Sequence, residues 1–223
     1  MITFSGDRYS GLSYSAQDTL AIIAQNRTKI KKQHGIAHFL SARQTHGNKI
    51  FIARKPLQED LEVDGYDALL TNLPAVGLLI QQADCQAITL YDHGHQAIAA
   101  IHSGWKGSVL NITGKTVQSM SETFGSSPTY LQASISPSLG PCCAEFVNHE
   151  LELPSAFLPF QVTKNHFNFW EITKMQLLEA GLQEHNINMA KICTSCSKDY
   201  YSYRRACRNG DGITGRCATI IAL

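Results

Sequence analysis

Three polar clusters in the first half of the chain carry residue types that hold metals: Gln44-Thr45-His46-Gly47, Ala83-Asp84-Cys85 and Ile101-His102-Ser103-Gly104-Trp105. Each sets a His or a Cys beside a turn-forming or small residue, where a side chain can leave a sheet edge and converge with others. Two imidazoles and one thiolate are a set of the kind Zn²⁺ uses when its fourth tetrahedral position is kept for water. Imidazole suits copper as well, so residue type leaves both metals open. The separations, 39 residues from His46 to Cys85 and 17 from Cys85 to His102, match no compact zinc-finger spacing. On spacing alone, the simpler reading is a pair of core histidines with an inert buried cysteine. Asp84 falls on the opposite face from Cys85 if the strand alternates, which leaves a structural, a supporting and a catalytic role open.

Anion chemistry has its own candidate. Gly104-Trp105-Lys106-Gly107-Ser108 runs from a strand into a helix, so its backbone N–H groups and the Lys106 ammonium could hold a phosphate. The alternative is a tight turn with a solvated lysine. Arg8, Arg43, Arg204, Arg205 and Arg216 are further cations. Cys193-Thr194-Ser195-Cys196, followed by Cys207 and Cys217, raises the question of a second zinc. Ten residues lie between Cys196 and Cys207 and nine between Cys207 and Cys217, which suits a paired site poorly. Cys142-Cys143 reads as packing near a turn, and Trp105 and Trp170 as core anchors, with Trp105 close enough in sequence to His102 to line its pocket.

The elements that must position these groups show in the hydrophobic pattern. Short apolar and β-branched runs predict strands over 37–42, 49–53, 76–81, 86–91, 96–101, 130–135 and 218–223, and their close spacing predicts a sheet with hairpin connections. Helical spacing predicts helices over 15–32, 108–124 and 173–184, the second stopped by Gly125. The stretch 148–161, with Pro154 and Pro159, reads as a surface loop. Strands and helices interleave without a linker or internal repeat. The expected architecture is therefore α/β, a single compact domain over 1–223 with a mixed or largely antiparallel sheet packed by helices.

Composition sets the outer bounds. The 223 residues are 43% hydrophobic and 17% charged with a formal net charge of +1, and no basic run exceeds Lys31-Lys32. Nucleic acid and anionic membrane are thereby disfavoured as partners. No segment approaches the roughly 18 apolar residues that span a bilayer, and the N-terminus lacks a basic region followed by an apolar stretch, so a cytoplasmic protein is expected. Seven cysteines, an odd number, then read as thiols or metal ligands before a disulfide framework.

Taken in order, Gln44-Thr45-His46-Gly47, Asp67-Ala68-Leu69-Leu70-Thr71, Ala83-Asp84-Cys85, His102-Ser103-Gly104-Trp105-Lys106-Gly107, Ser138-Leu139-Gly140-Pro141-Cys142-Cys143 and Ser202-Tyr203-Arg204-Arg205 with Thr214-Gly215-Arg216 resemble the motif series of the YfiH-type laccase-domain family. That family is also called multicopper polyphenol oxidase and purine nucleoside phosphorylase. The resemblance implies a single α/β domain and a zinc ion on His46, Cys85 and His102, which would serve both as metal ligands and as catalytic residues. It sets Gln44, Arg8 and Arg205 beside Lys106 as substrate-binding candidates. It also implies phosphorolysis of adenosine, inosine, guanosine and methylthioadenosine, with phosphate as co-substrate, and deamination of adenosine. A copper-dependent polyphenol oxidase and a hydrolase editing cell-wall precursors are the rival activities that the family's names carry.

The series is incomplete at its start. Arg8-Tyr9-Ser10-Gly11-Leu12-Ser13 keeps only part of the family's Gly-Gly-Val-Ser element, and a following Ser-Leu-Asn is missing; Ser136 and Ala144 stand where the family commonly has Gly and an aromatic residue. The His-x-Glu with Pro-Cys-x-x-Cys signature of nucleobase deaminases is also missing, so a deamination at purine C6 would need its general acid from elsewhere.

Overall fold

A computed structural model describes residues 2–7, 10–12 and 20–223. The chain runs β1 (Ile2–Ser5), α1 (Leu20–His34), β2 (His38–Arg43), β3 (Ile50–Ala53), β4 (Leu61–Asp64), β5 (Ala68–Thr71), β6 (Val76–Gln82), β7 (Gln86–Asp92) and β8 (Ala97–Ser103). It continues α2 (Trp105–Val109), α3 (Ile112–Phe124), β9 (Gln132–Ile135), α4 (His149–Glu152), β10 (Gln161–Thr163), β11 (His166–Phe167), α5 (Phe169–Glu179), β12 (Ile187–Met189), α6 (Tyr203–Asn209) and β13 (Cys217–Ala222).

The architecture is compact α/β with mixed sheets packed by helices, and the strands divide between two main sheets where the pattern suggested one. The first has the order β1-β13-β6-β2-β4 and the second β12-β9-β7-β8-β5-β3. In the first, β13 pairs antiparallel with β1 and β6, while β2 pairs parallel with β6 and β4. In the second, β7 and β8 form an antiparallel hairpin flanked by antiparallel β9 and β5, with parallel β12 and β3 outside.

Burial on both faces explains why the central strands read as near-continuous apolar runs. On β8, Ile98 and Ala100 pack with Leu40, Leu78 and Ile80 of the first sheet, while Ala97, Ala99 and Ile101 pack with Val117 and Met120 of α3 and Leu177 of α5. Phe39, Leu79 and Ile220 close the outer face of the first sheet with Ile30 of α1. The layers are therefore helix, sheet, sheet, helix.

Several boundaries differ from the periodicity reading, for local reasons. The helix expected over 108–124 is two, because Asn111 adopts a left-handed φ of 51° and caps α3 by accepting a hydrogen bond from the Gly114 N–H. The helix expected over 173–184 begins at Phe169, where Asn168 accepts from the Glu171 N–H, and ends at Glu179 before Gly181 at φ 99°. Leu182 is buried from the following loop. The stretch 148–161 is not a bare loop: it holds α4 and a 3₁₀ segment, Ser155–Phe160, that buries Phe157. Part of the first expected helix, residues 15–19, lies outside the described residues, as does Arg8. Among the described residues no helix is long and apolar enough to cross a membrane.

Candidate functional site

Strand alternation places the candidate ligands. On β8, His102 continues the face of Ile98 and Ala100, toward the first sheet. The β5–β8 register sets Ala68 opposite Ile101, so Asp67 stands opposite His102, and the His102 N–H donates to the Asp67 carbonyl at 2.7 Å. The β7–β8 register pairs Ala87 with His102, which puts Cys85 at the same end of the sheet. Cys85 closes the short turn by which the chain leaves β6 of the first sheet and enters β7 of the second; Asp84 in that turn has φ 85°. His46 comes from the segment after β2, again in the first sheet. Candidate ligand atoms of His46, Cys85 and His102 lie within 4.8 Å of one another, and the two imidazoles meet edge to face with centroids 4.7 Å apart.

Asp67 holds this geometry. It is fully buried, and its carboxylate accepts from His102 Nδ1 at 2.8 Å, from the N–H groups of Thr45, His46 and Gly47, and from the Thr45 hydroxyl. These bonds fix the His102 ring with Nε2 toward the trio and pin His46 at φ 60°. Burial raises the carboxyl pKa, but His102 and the Gly47 and His46 N–H groups outweigh it and bring it down to about 2. Burial likewise opposes ionisation of Cys85, yet the His102 charge and hydrogen bonds from His102 and His46 bring the thiol down to about 6. Against burial, the Cys85 thiolate and Asp67 lift His102 to about 9. The two shifts reinforce each other: the His102 charge favours the Cys85 thiolate, and the thiolate with Asp67 favours protonated His102, so the trio is a donor set suited to a cation.

Gly104 is required by packing. A Cβ there would sit 3.0 Å from both Cys85 Sγ and His46 Cδ2, so a side chain would push the candidate ligands apart.

A cavity of about 1130 Å³ opens over the trio. Trp105, Phe146 and Phe169 supply an aromatic wall, with Phe146 centroids 6.1 Å from Trp105 and 5.1 Å from Phe169. Arg43, Arg204 and Arg216 are the cations on its lining.

The other expected site residues fall elsewhere. Gln44 lines the cavity, but its amide bridges the Gln81 backbone at both ends, accepting from the N–H and donating to the carbonyl. Arg205 is off the lining; its guanidinium donates to the carbonyls of Thr194, Ser195, Ser197 and Tyr200, so it ties down the 194–200 segment instead of facing substrate. Lys106 is also off the lining, exposed, with its ammonium 5.5 Å from the Trp105 ring centroid. It sits on α2, whose N-cap is Gly104, so the strand-to-helix passage forms as expected while the lysine stays outside the cavity lining. Asp84 accepts from the Thr194 hydroxyl and the Arg204 N–H, both at 2.6 Å, a structural tie between the Cys85 turn and α6.

The sequence reading missed the role of Asp67, although it stands directly before the buried run Ala68–Thr71. It also passed over Arg204 and Arg216 in favour of Arg205, because motif position does not say which of two adjacent arginines faces inward.

The family profile described as multi-copper polyphenol oxidoreductase laccase matches residues 4–223. A Bacteroides thetaiotaomicron protein named purine nucleoside phosphorylase is 33% identical over 165 residues, 70% of this chain and 61% of that one. The human purine nucleoside phosphorylase LACC1 is 26% identical over 205 residues, 86% of this chain and 46% of that one. The chain thus spans under two thirds of either relative's length. The crystal structure of the hypothetical protein YfiH from Bacillus licheniformis superposes with a TM-score of 0.83 at 25% identity, covering 99% of this chain and 92% of that one.

Proposed function

This chain belongs to the multi-copper polyphenol oxidoreductase laccase family, and within it we propose a metal-dependent purine nucleoside phosphorylase that also deaminates adenosine, with zinc on His46, Cys85 and His102. The observation that carries the reading is the convergence of those three ligands, oriented by buried Asp67, at the floor of a cavity with aromatic and cationic walls. The names of the Bacteroides and human relatives support the substrate class.

A zinc ion held there would supply Lewis acidity and a hydroxide at neutral pH. The chain's own groups do the rest. Trp105 and Phe146 offer faces and edges to a purine. Arg204 and Arg216 line the cavity and keep guanidinium N–H groups beyond those that bond the Glu145, Thr214 and Gly215 carbonyls; these would hold a hydrogen phosphate, whose oxygen bonds to ribose C1′ as the C1′–N9 bond breaks and whose proton passes to the leaving base. Adenosine, inosine, guanosine and methylthioadenosine share that bond, so all four are expected substrates. Free thiols as ligands suit a reducing compartment, which supports a cytoplasmic enzyme.

Copper on the same ligands, oxidising phenols, is the rival. Coupled reduction of oxygen by a laccase needs several coppers and many histidines, and the His-bearing ligand cluster among the described residues offers two. The test is metal analysis of protein purified without added metal, followed by adenosine turnover with and without phosphate. Zinc, adenine formed only with phosphate, and inosine formed without it are expected. Bound copper with phenol oxidation tracking it, and no nucleoside turnover, would overturn the reading.

A further inference from the structure

We propose that Cys142, Cys143, Cys193 and Cys196 form a second, closed metal site, a tetrathiolate that binds zinc and braces one wall of the cavity. Their four sulfurs lie within 4.8 Å of one another, and Cys196 Sγ is 3.6 Å from both Cys142 Sγ and Cys143 Sγ. Zn–S bonds of about 2.3 Å in a tetrahedron set sulfurs about 3.8 Å apart, close to what is seen. A disulfide would need about 2.05 Å.

Two loops far apart in sequence make the cluster. Ser138 and Cys193 form an isolated parallel bridge, with the Ser138 N–H donating to the Ile192 carbonyl at 3.1 Å and the Thr194 N–H to the Ser138 carbonyl at 3.0 Å. The Ser197 N–H donates to the Cys193 carbonyl at 2.9 Å, closing the turn that brings Cys193 and Cys196 together. The Cys143 N–H donates to the Gly140 carbonyl at 2.9 Å, and this turn lets the adjacent Cys142 and Cys143 face one point, which an extended strand would forbid. A Cβ on Gly140 would lie 2.9 Å from both Cys193 Cβ and the Trp170 ring, so the approach of the loops depends on glycine there.

The surroundings suit thiolates. The Gly140 N–H donates to Cys193 Sγ at 3.3 Å, and Arg208 Nη1 stands 3.7 Å from Cys143 Sγ. Four thiolates around Zn²⁺ leave two negative charges, which donors of this kind offset. Four protein ligands leave no open position, so the role is structural. The bracing is specific: Leu139, Ala144 and Glu145, around the first loop, line the cavity, and Arg204 Nη2 donates to the Glu145 carbonyl at 3.1 Å. Cys207 and Cys217, which follow Cys196 in sequence, are not members of the cluster.

The test uses Cys85→Ala protein, purified under reducing conditions, in which the first trio is disabled. It is expected to keep one zinc per chain, with an X-ray absorption spectrum of four sulfur neighbours at about 2.3 Å, and to lose that zinc when Cys196→Ser is added. The unsubstituted protein gives an arm that needs no change at the cluster. Cys142 and Cys196, although exposed, should resist alkylation until a chelator strips the metal, whereas Cys207, also exposed, reacts from the start. Cys85→Ala protein without tightly bound metal, zinc with nitrogen or oxygen neighbours in it, or Cys142 and Cys196 alkylated as fast as Cys207 before any chelator, would overturn the proposal.

Discussion

Asp67 is not on the lining of the cavity over the trio, yet it decides what the trio can do. Its carboxylate gathers five donors, one of them the His102 ring. Asp67→Asn keeps the shape but replaces one acceptor oxygen with a donor that faces N–H groups. Zinc affinity, measured by chelator competition, should fall about 10- to 100-fold; unchanged affinity would mean that the His102 orientation is set by packing alone. At this scale the candidate ligands were legible from their residue types and motif order, and Arg205 was not. Whether an arginine faces a cavity or a loop's carbonyls depends on the phase of α6, a seven-residue helix with no apolar stripe to fix that phase in sequence.

The elements follow local rules where local groups decide them. Asn111 ends one helix and starts the next, and both its left-handed φ and its side-chain bond are needed. Asn111→Ala should lower stability by about 1–2 kcal/mol through the lost cap and the left-handed strain, and Asn111→Gly by less, since glycine removes the strain; equal losses in chemical denaturation would refute this division. At the β7–β8 turn, Asp92 accepts from the N–H groups of Gly94 and His95 and from His95 Nδ1. Burial opposes the charge, but the nearby Ser126 hydroxyl and the bonds from His95 and the Gly94 N–H hold the carboxyl below its usual range. A carboxyl lowered on folding stabilises above its unfolded pKa, about 3.9, and that stability fades as pH falls through the folded value. The stability gap between the natural chain and Asp92→Asn should therefore be full at neutral pH and narrow below about pH 4. A gap independent of pH would mean that the charge is immaterial. Short strands such as β4 and β12, and the four-cysteine cluster, escaped the sequence reading for one reason: each depends on a partner distant in the chain, such as the bridge from Ser138 to Cys193, and periodicity reports only neighbours.

At the scale of the molecule, the two sheets share an apolar interface, Leu40, Leu78 and Ile80 against Leu69, Ile98 and Ala100, and the chain crosses between them at the Cys85 turn. We infer that the two sheets and the helices packed on them unfold as one unit. Limited proteolysis should then yield no stable half, with the first cut between 148 and 161, where Leu151 is 92% exposed; two protease-resistant halves would contradict this. The α/β class was legible from interleaved strands and helices, but the division into two sheets was not, because nothing local marks that β6 and β7 part company at the same turn that supplies Cys85. That crossing is what brings three distant motifs to one candidate metal site, and we propose that this site performs the chemistry. Its most direct test is phosphate-dependent release of adenine from adenosine by the natural chain and by Cys85→Ala, with matched far-UV circular dichroism. Turnover by the natural chain and its loss in Cys85→Ala at unchanged secondary structure are expected; equal turnover by both proteins would contradict a catalytic role for the site.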